Sequence, residues 1–300
     1  MPDFALSPTA SPLEGYALVR GTRLYYREIG RGQPVVVLHG GPSFNHDYLV
    51  PEMDRLSRFF RLIYYDQRGR GKSEGGIQPE DVTLESEIRD LDDLREYFQL
   101  EKVAVLGHSW GGLLAMEYAI QHPDRVSHLV LMNTAPASYS DWTSFRQKRE
   151  DTEADTLEKM KAIAETALFE SGDLEVEADY FRIHFGATLR RLDLLEGLIR
   201  SLRSSYTPEG IRRARAIAGH LHEETSESSS FDLFSRLKEL HTPSLVICGD
   251  YDFIPAECSE HIAEAIPGTQ LVILGDCGHF TYLECPEQVE TAVLDFFNQN

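Results

Sequence analysis

Val103-Ala104-Val105-Leu106-Gly107-His108-Ser109-Trp110-Gly111-Gly112 is the stretch on which the fold turns. Four apolar residues of strand character, Val103 to Leu106, run straight into a Gly-x-Ser-x-Gly turn, and from Trp110 to His122 the sequence reads as a helix. So tight a reversal forces Ser109 into a strained conformation, with Gly107 and Gly111 leaving space where side chains would collide. The Ser109 hydroxyl is pushed out of the sheet. The helix that follows turns its amide N–H groups and positive dipole end toward negative charge developing beside it. Ser109 is therefore the expected nucleophile of an acyl transfer.

On either side of this turn, apolar runs of strand length alternate with helical patterns, the signature of a mostly parallel sheet with crossover helices. Tyr16 to Arg20 and Arg23 to Glu28, joined through Gly21-Thr22, read as an opening antiparallel hairpin. Pro34 to Leu38, Arg61 to Asp66, Val103 to Leu106, Val126 to Met132, Ser244 to Cys248 and Gln270 to Leu274 follow, rich in Val, Ile and Leu as strands buried on both faces are. Helices are expected over Asp47 to Arg58, Leu84 to Gln99, Trp110 to His122, Ala256 to Ala265 and Pro286 to Phe297. Ile88, Leu91, Leu94, Tyr97 and Phe98 form one apolar stripe, with Thr83 placed as its N-cap. From about Ala135 to Ser230 strand-like runs vanish and charged helical sequence takes over, with helices expected over Thr152 to Phe169, Val176 to Phe185, Leu189 to Leu202 and Glu209 to Ala218. The predicted fold class is α/β, an eight-stranded mostly parallel sheet flanked by helices. A helical cap is inserted after the sixth strand, dividing the chain into core (1–134), cap (135–230) and core (231–300). A cap placed there would lie over the carboxyl ends of the strands, where such sheets bind ligands.

A serine hydroxyl needs a base to take its proton. Of the 11 histidines, His279 follows the last strand in Asp276-Cys277-Gly278-His279 and is the best candidate. The imidazole in turn needs a carboxylate to fix its tautomer. Gly249-Asp250-Tyr251-Asp252 offers two, and Asp252, further into the loop, is preferred over Asp250, which is better placed to brace the turn. The order Ser, Asp, His along the chain is that of the α/β-hydrolases. His39-Gly40-Gly41-Pro42 after the third strand would supply an oxyanion donor, so Gly41 N–H and Trp110 N–H form the expected pair. Asp66-Gln67-Arg68-Gly69-Arg70-Gly71-Lys72-Ser73 lacks the spacing of a phosphate loop, and Asp66 and Arg68 are read as braces for the oxyanion segment. None of this chemistry calls for a metal or cofactor.

With 49 acidic against 29 basic side chains, the formal charge of −20 disfavours nucleic acid or an anionic membrane as partner. A small molecule or short peptide, cationic or neutral, is the expected substrate. Met1 to Glu14 lacks the basic and apolar regions of a signal peptide, and no uncharged run approaches membrane-spanning length, so a cytoplasmic protein is expected. Cys248, Cys258, Cys277 and Cys285 have no metal-type spacing and are read as reduced and mostly buried. Oligomeric state is not legible.

Taken together, His39-Gly40-Gly41-Pro42, Asp66-Gln67-Arg68-Gly69, Gly107 to Gly112, Gly249 to Asp252 and Gly278-His279 resemble the proline iminopeptidase family of α/β-hydrolases, which includes the tricorn-interacting aminopeptidases. The resemblance implies release of an N-terminal residue, often proline, through an acyl-enzyme. It also implies cap carboxylates that hold the substrate's α-ammonium. Glu177-Ala178-Asp179-Tyr180-Phe181 resembles the segment carrying one of these, which makes Glu177 the candidate. Two positions depart from the family: Ser43 stands where a third glycine is common, and Phe253 where the tricorn-associated enzymes carry an acid. A carboxylesterase acting on uncharged small acyl substrates is the alternative, and a non-enzymatic binding module a third reading.

Overall fold

The computed structural model describes residues 11–73 and 76–300; Met1 to Ala10, most of the stretch read for a leader, lie outside it. Eight strands form one sheet: β1 (Leu13–Val19), β2 (Thr22–Gly30), β3 (Gln33–Leu38), β4 (Phe60–Tyr65), β5 (Val103–His108), β6 (Val126–Met132), β7 (Ser244–Gly249) and β8 (Gln270–Leu274). Their spatial order is β1-β2-β4-β3-β5-β6-β7-β8. The hairpin turns at Arg20 and Gly21, both at positive φ, as a two-residue connection between twisted strands requires. β1 with β2 and β2 with β4 are antiparallel; every other pairing is parallel.

Twelve α-helices among the described residues accompany the sheet: α1 (Leu84–Tyr97), α2 (Trp110–Gln121), α3 (Tyr139–Thr152), α4 (Ala154–Ala164), α5 (Ala167–Ser171), α6 (Leu174–Gly186), α7 (Leu195–Arg203), α8 (Pro208–Glu224), α9 (Phe234–Leu237), α10 (Ala256–Ala265), α11 (Thr281–Glu284) and α12 (Pro286–Gln299). Alternate residues of each central strand face opposite sides. Val36, Val105, Leu129 and Val246 join Ile88 and Leu91 of α1, Leu113 and Leu114 of α2, and Ile262 of α10 in one core. Val37, Leu106, Val130 and Ile247 join Met53, Leu56, and Val289, Val293 and Phe296 of α12 in the other. Trp110 to Ala119 of α2 are all buried, which is why this helix carries no polar face.

Three local expectations are corrected. The helix expected over Asp47 to Arg58 is two short 3-10 turns, His46–Leu49 and Glu52–Arg58. Pro51 separates them, since proline has no N–H to donate and disfavours helical backbone in the residue before it. The helix expected over Thr152 to Phe169 is split into α4 and α5, with Thr166 capping the second through Phe169 N, and α3 precedes it where no helix was expected. Cys277 and Cys285, expected reduced, are joined as a disulfide: α11 folds the chain back so that their Cα atoms lie 6.4 Å apart, within bridging range. Cys248 and Cys258 are free and buried.

Candidate active site

The elbow is built as its residues demand. Ser109 has φ 56° and ψ −121°, between the end of β5 and the first turn of α2. A methyl group on Gly107 would overlap the Gly111 carbonyl, and one on Gly111 the carbonyl of Leu38, so neither position accepts a side chain without moving backbone. The turn is pinned from below. Ser109 N donates to Met132 O at 3.0 Å, while Ser109 O accepts from Gly112 N at 2.8 Å and Ala135 N at 3.0 Å.

Asp252 and His279 leave the ends of adjacent strands, β7 and β8. His279 Nδ1 lies 2.8 Å from Asp252 Oδ1, and both side chains are buried. The same carboxylate oxygen accepts from Ile254 N at 2.9 Å. Asp250 turns the other way and accepts from Cys277 N at 3.2 Å, bracing the loop. The ring of Phe253 packs against His279, with centroids 4.2 Å apart. The His279 ring makes its hydrogen bond to Asp252, and among the described residues none joins it to Ser109 Oγ. The two loops meet through the neighbouring His108, whose ring centroid is 5.0 Å from that of His279.

On the opposite flank, Gly41 has φ 121° and precedes a cis bond to Pro42. Among the described residues neither Gly41 N nor Trp110 N has a hydrogen-bond acceptor. The oxyanion segment is braced from beneath by the Asp66 loop. Gln67 N donates to His39 Nε2 at 3.0 Å, and Gln67 Nε2 to His39 O at 2.8 Å. Accepting at Nε2, the neutral His39 ring donates from Nδ1 to Gly40 O, and burial holds its pKa down at about 3. Asp66 accepts from His46 N at 3.0 Å, His46 Nδ1 at 2.7 Å and Lys72 N at 2.8 Å. Although burial opposes its ionisation, these partners and the nearby imidazoles bring its pKa down to about 2. Arg68 instead pairs with Asp90 on α1, and Arg70 with Glu87 in full burial.

Glu177 lies in the buried face of α6, 3.1 Å from Arg215 of α8. Burial pushes its pKa up to about 7 against the pull of Arg215. Glu177 is thus paired with Arg215, and among the described residues no hydrogen bond or ion pair joins it to Asp252 or His279. The inserted helices reach the oxyanion segment elsewhere: Tyr206 donates to Ser43 O, and Ser204 and Ser205 to Asp47.

Asn133 escaped the sequence reading. Asn133, at φ 48° just after β6, donates from Nδ2 to Asp252 Oδ2 at 2.8 Å and to Gly278 O at 3.1 Å. Its Oδ1 accepts from Thr281 Oγ1 at 2.6 Å. A lone Asn after a strand reads as a turn residue; only the third dimension places it between the acid and the base loop.

Residues 33–286 match the family model described as alpha/beta hydrolase fold. Among curated relatives, the proline iminopeptidase of Saccharolobus solfataricus is 25% identical over 295 residues, 95% of this chain and 92% of its own length. That of Heyndrickxia coagulans is 28% identical over 299 residues, 95% of this chain and 98% of its own. Among solved structures, VinJ superposes with a TM-score of 0.78 at 21% identity, covering 97% of this chain and 99% of that one. The enol-lactonase from Burkholderia xenovorans LB400 gives 0.66 at 27%, covering 95% and 100%. Among the described residues no helix is long and apolar enough to cross a membrane. With that sheet order, that elbow and a family match over most of its length, the chain belongs to the alpha/beta hydrolase fold family.

Proposed function

We propose that this chain is a serine hydrolase that works through an acyl-enzyme on Ser109, and that it is an aminopeptidase releasing N-terminal proline or another small residue from short peptides. The observation that carries the chemistry is the buried Asp252–His279 pair held beside the strained elbow. With Nδ1–H directed to Asp252, His279 Nε2 is the basic nitrogen. It takes the Ser109 proton as Oγ bonds to the substrate carbonyl carbon, and the oxyanion so formed is met by Gly41 N–H and Trp110 N–H. Collapse of this intermediate breaks the C–N bond, His279 Nε2–H protonates the departing amine, and water then repeats the sequence to release the acid.

The aminopeptidase assignment is supported by the curated relatives and by Glu177, a buried cap carboxylate whose raised pKa an ammonium ligand would relieve. Two observations favour ester hydrolysis on uncharged substrates as the second reading: Arg215 already pairs with Glu177, and Phe253 gives the His279 side an apolar wall. A panel of prolyl and alanyl arylamides, free and N-acetylated, beside p-nitrophenyl esters separates the two. Turnover of the free arylamides that is lost on acetylation and in Ser109→Ala is expected. Fast ester turnover with no arylamidase activity would replace the aminopeptidase by the esterase.

A further inference from the structure

The oxyanion segment, the elbow and the base loop leave three different strands, β3, β5 and β8, yet one line of hydrogen bonds joins them. Gly40 N donates to Tyr48 Oη at 2.8 Å, Tyr48 Oη lies 2.7 Å from His108 Nδ1, and His108 Nε2 lies 3.0 Å from the carbonyl oxygen of His279. The direction of every link follows from its ends. A carbonyl only accepts, so His108 Nε2 carries the ring proton. Nδ1 of a neutral imidazole is then an acceptor, so the Tyr48 hydroxyl gives its one proton to it and its oxygen is left to accept from Gly40. Burial keeps His108 neutral by holding its pKa well below the usual range, and pushes that of Tyr48 up. Tyr48 and His108 are 2% and 1% exposed, too little for water to replace a missing partner.

Tyr48 is itself anchored independently of its hydroxyl. Its carbonyl accepts from Tyr282 Oη at 2.9 Å, and its ring meets those of Phe44 and Phe280 edge-on. Gly40 rides directly on the elbow: a methyl group there would come within 2.8 Å of Ser109 Cβ and 3.0 Å of His108 O. We infer that Tyr48 and His108 are positioning residues for the acyl transfer proposed above, fixing the oxyanion amide, the nucleophile and the base at one mutual distance. Neither needs to touch the substrate. This inference rests on the reading of Ser109 as nucleophile, and its force comes from the steepness with which rate falls when a reacting group is misplaced by about 1 Å.

Tyr48→Phe keeps the ring and removes both links of the hydroxyl. In folded protein, judged by its thermal melt, kcat for a p-nitrophenyl ester is expected to fall roughly 10- to 100-fold while KM stays within about threefold, and fluorophosphonate labelling of Ser109 slows in proportion. His108→Gln, whose amide can accept at one atom and donate from the other, is expected to retain more kcat than His108→Leu. A folded Tyr48→Phe that turns over ester and labels at the wild-type rate overturns the inference alone, whereas a wild-type protein that does not label at Ser109 overturns the hydrolase reading and this inference with it. Should Tyr48→Phe not fold, nitrogen NMR of the wild-type His108 ring decides. A neutral ring protonated at Nε2 from pH 6 to 8 supports the inference, and protonation at Nδ1 overturns it.

Discussion

Asn133 is the residue whose removal most directly probes the geometry of the acid. Asp252 accepts hydrogen bonds from His279, Ile254 and Asn133, and Asn133 adds a second tie to the base loop through Gly278. A hydrogen bond to a charged group contributes about 1.5–3 kcal/mol, so steady-state kinetics of Asn133→Ala should show kcat down roughly 10- to 100-fold with KM little changed. Glu177 answers a different question. With its pKa at about 7, it loses the charge an ammonium needs as pH falls through neutrality. The ratio of kcat/KM for a free arylamide to that for an ester should therefore fall below pH 7 in the wild type and stay flat in Glu177→Gln. Stability runs the other way. The folded state holds this proton more tightly than the unfolded, so between the ordinary carboxyl value and about 7 ionisation of Glu177 costs stability as pH rises. The motifs that nominate Ser109, His279, Asp252, Gly41 and Trp110 were legible because each follows a strand, and the structure joins two of the five, Asp252 and His279, by a hydrogen bond. Asn133, Tyr48 and His108 were not legible, because their farthest hydrogen-bond partners lie 148, 234 and 171 residues away in sequence.

At the level of elements, the strands were the most legible part, and Val126–Met132 and Gln270–Leu274 have the bounds read from their Val-, Ile- and Leu-rich runs. Helix ends depended on caps. Thr83 forms a capping box with Ser86 at the start of α1, one of the few element boundaries stated by a single residue. Thr83→Ala should lower stability by about 1 kcal/mol in denaturant unfolding and leave kcat unchanged, because the side-chain hydrogen bond it removes is to Ser86 of its own helix. The inserted helices were harder to read. α3 carries almost no apolar periodicity, and the break after Glu165 comes from a local cap at Thr166 that no apolar stripe announces. The Cys277–Cys285 pairing was likewise hidden, since spacing in sequence says nothing of the reversal that α11 makes between them.

For the whole molecule, the formal charge of −20 sets a field that favours cationic substrates. Raising the salt from about 0.01 M to 1 M shortens the screening length from about 30 Å to 3 Å, so kcat/KM should fall for a free arylamide and hold for its uncharged ester counterpart. Equal salt dependence for both would place the charge outside recognition. The fold itself explains why residues so distant in sequence meet: β3, β5, β7 and β8 all deliver their loops to one edge of a parallel sheet, and the elbow stands at its centre. Everything proposed for this edge depends on a covalent bond to Ser109. The most direct test is acid-quenched mass spectrometry of the protein caught turning over a p-nitrophenyl ester. A single acyl group on the peptide containing Ser109, absent from Ser109→Ala, is the predicted result. Turnover with no adduct at Ser109, or undiminished turnover by Ser109→Ala, would contradict it.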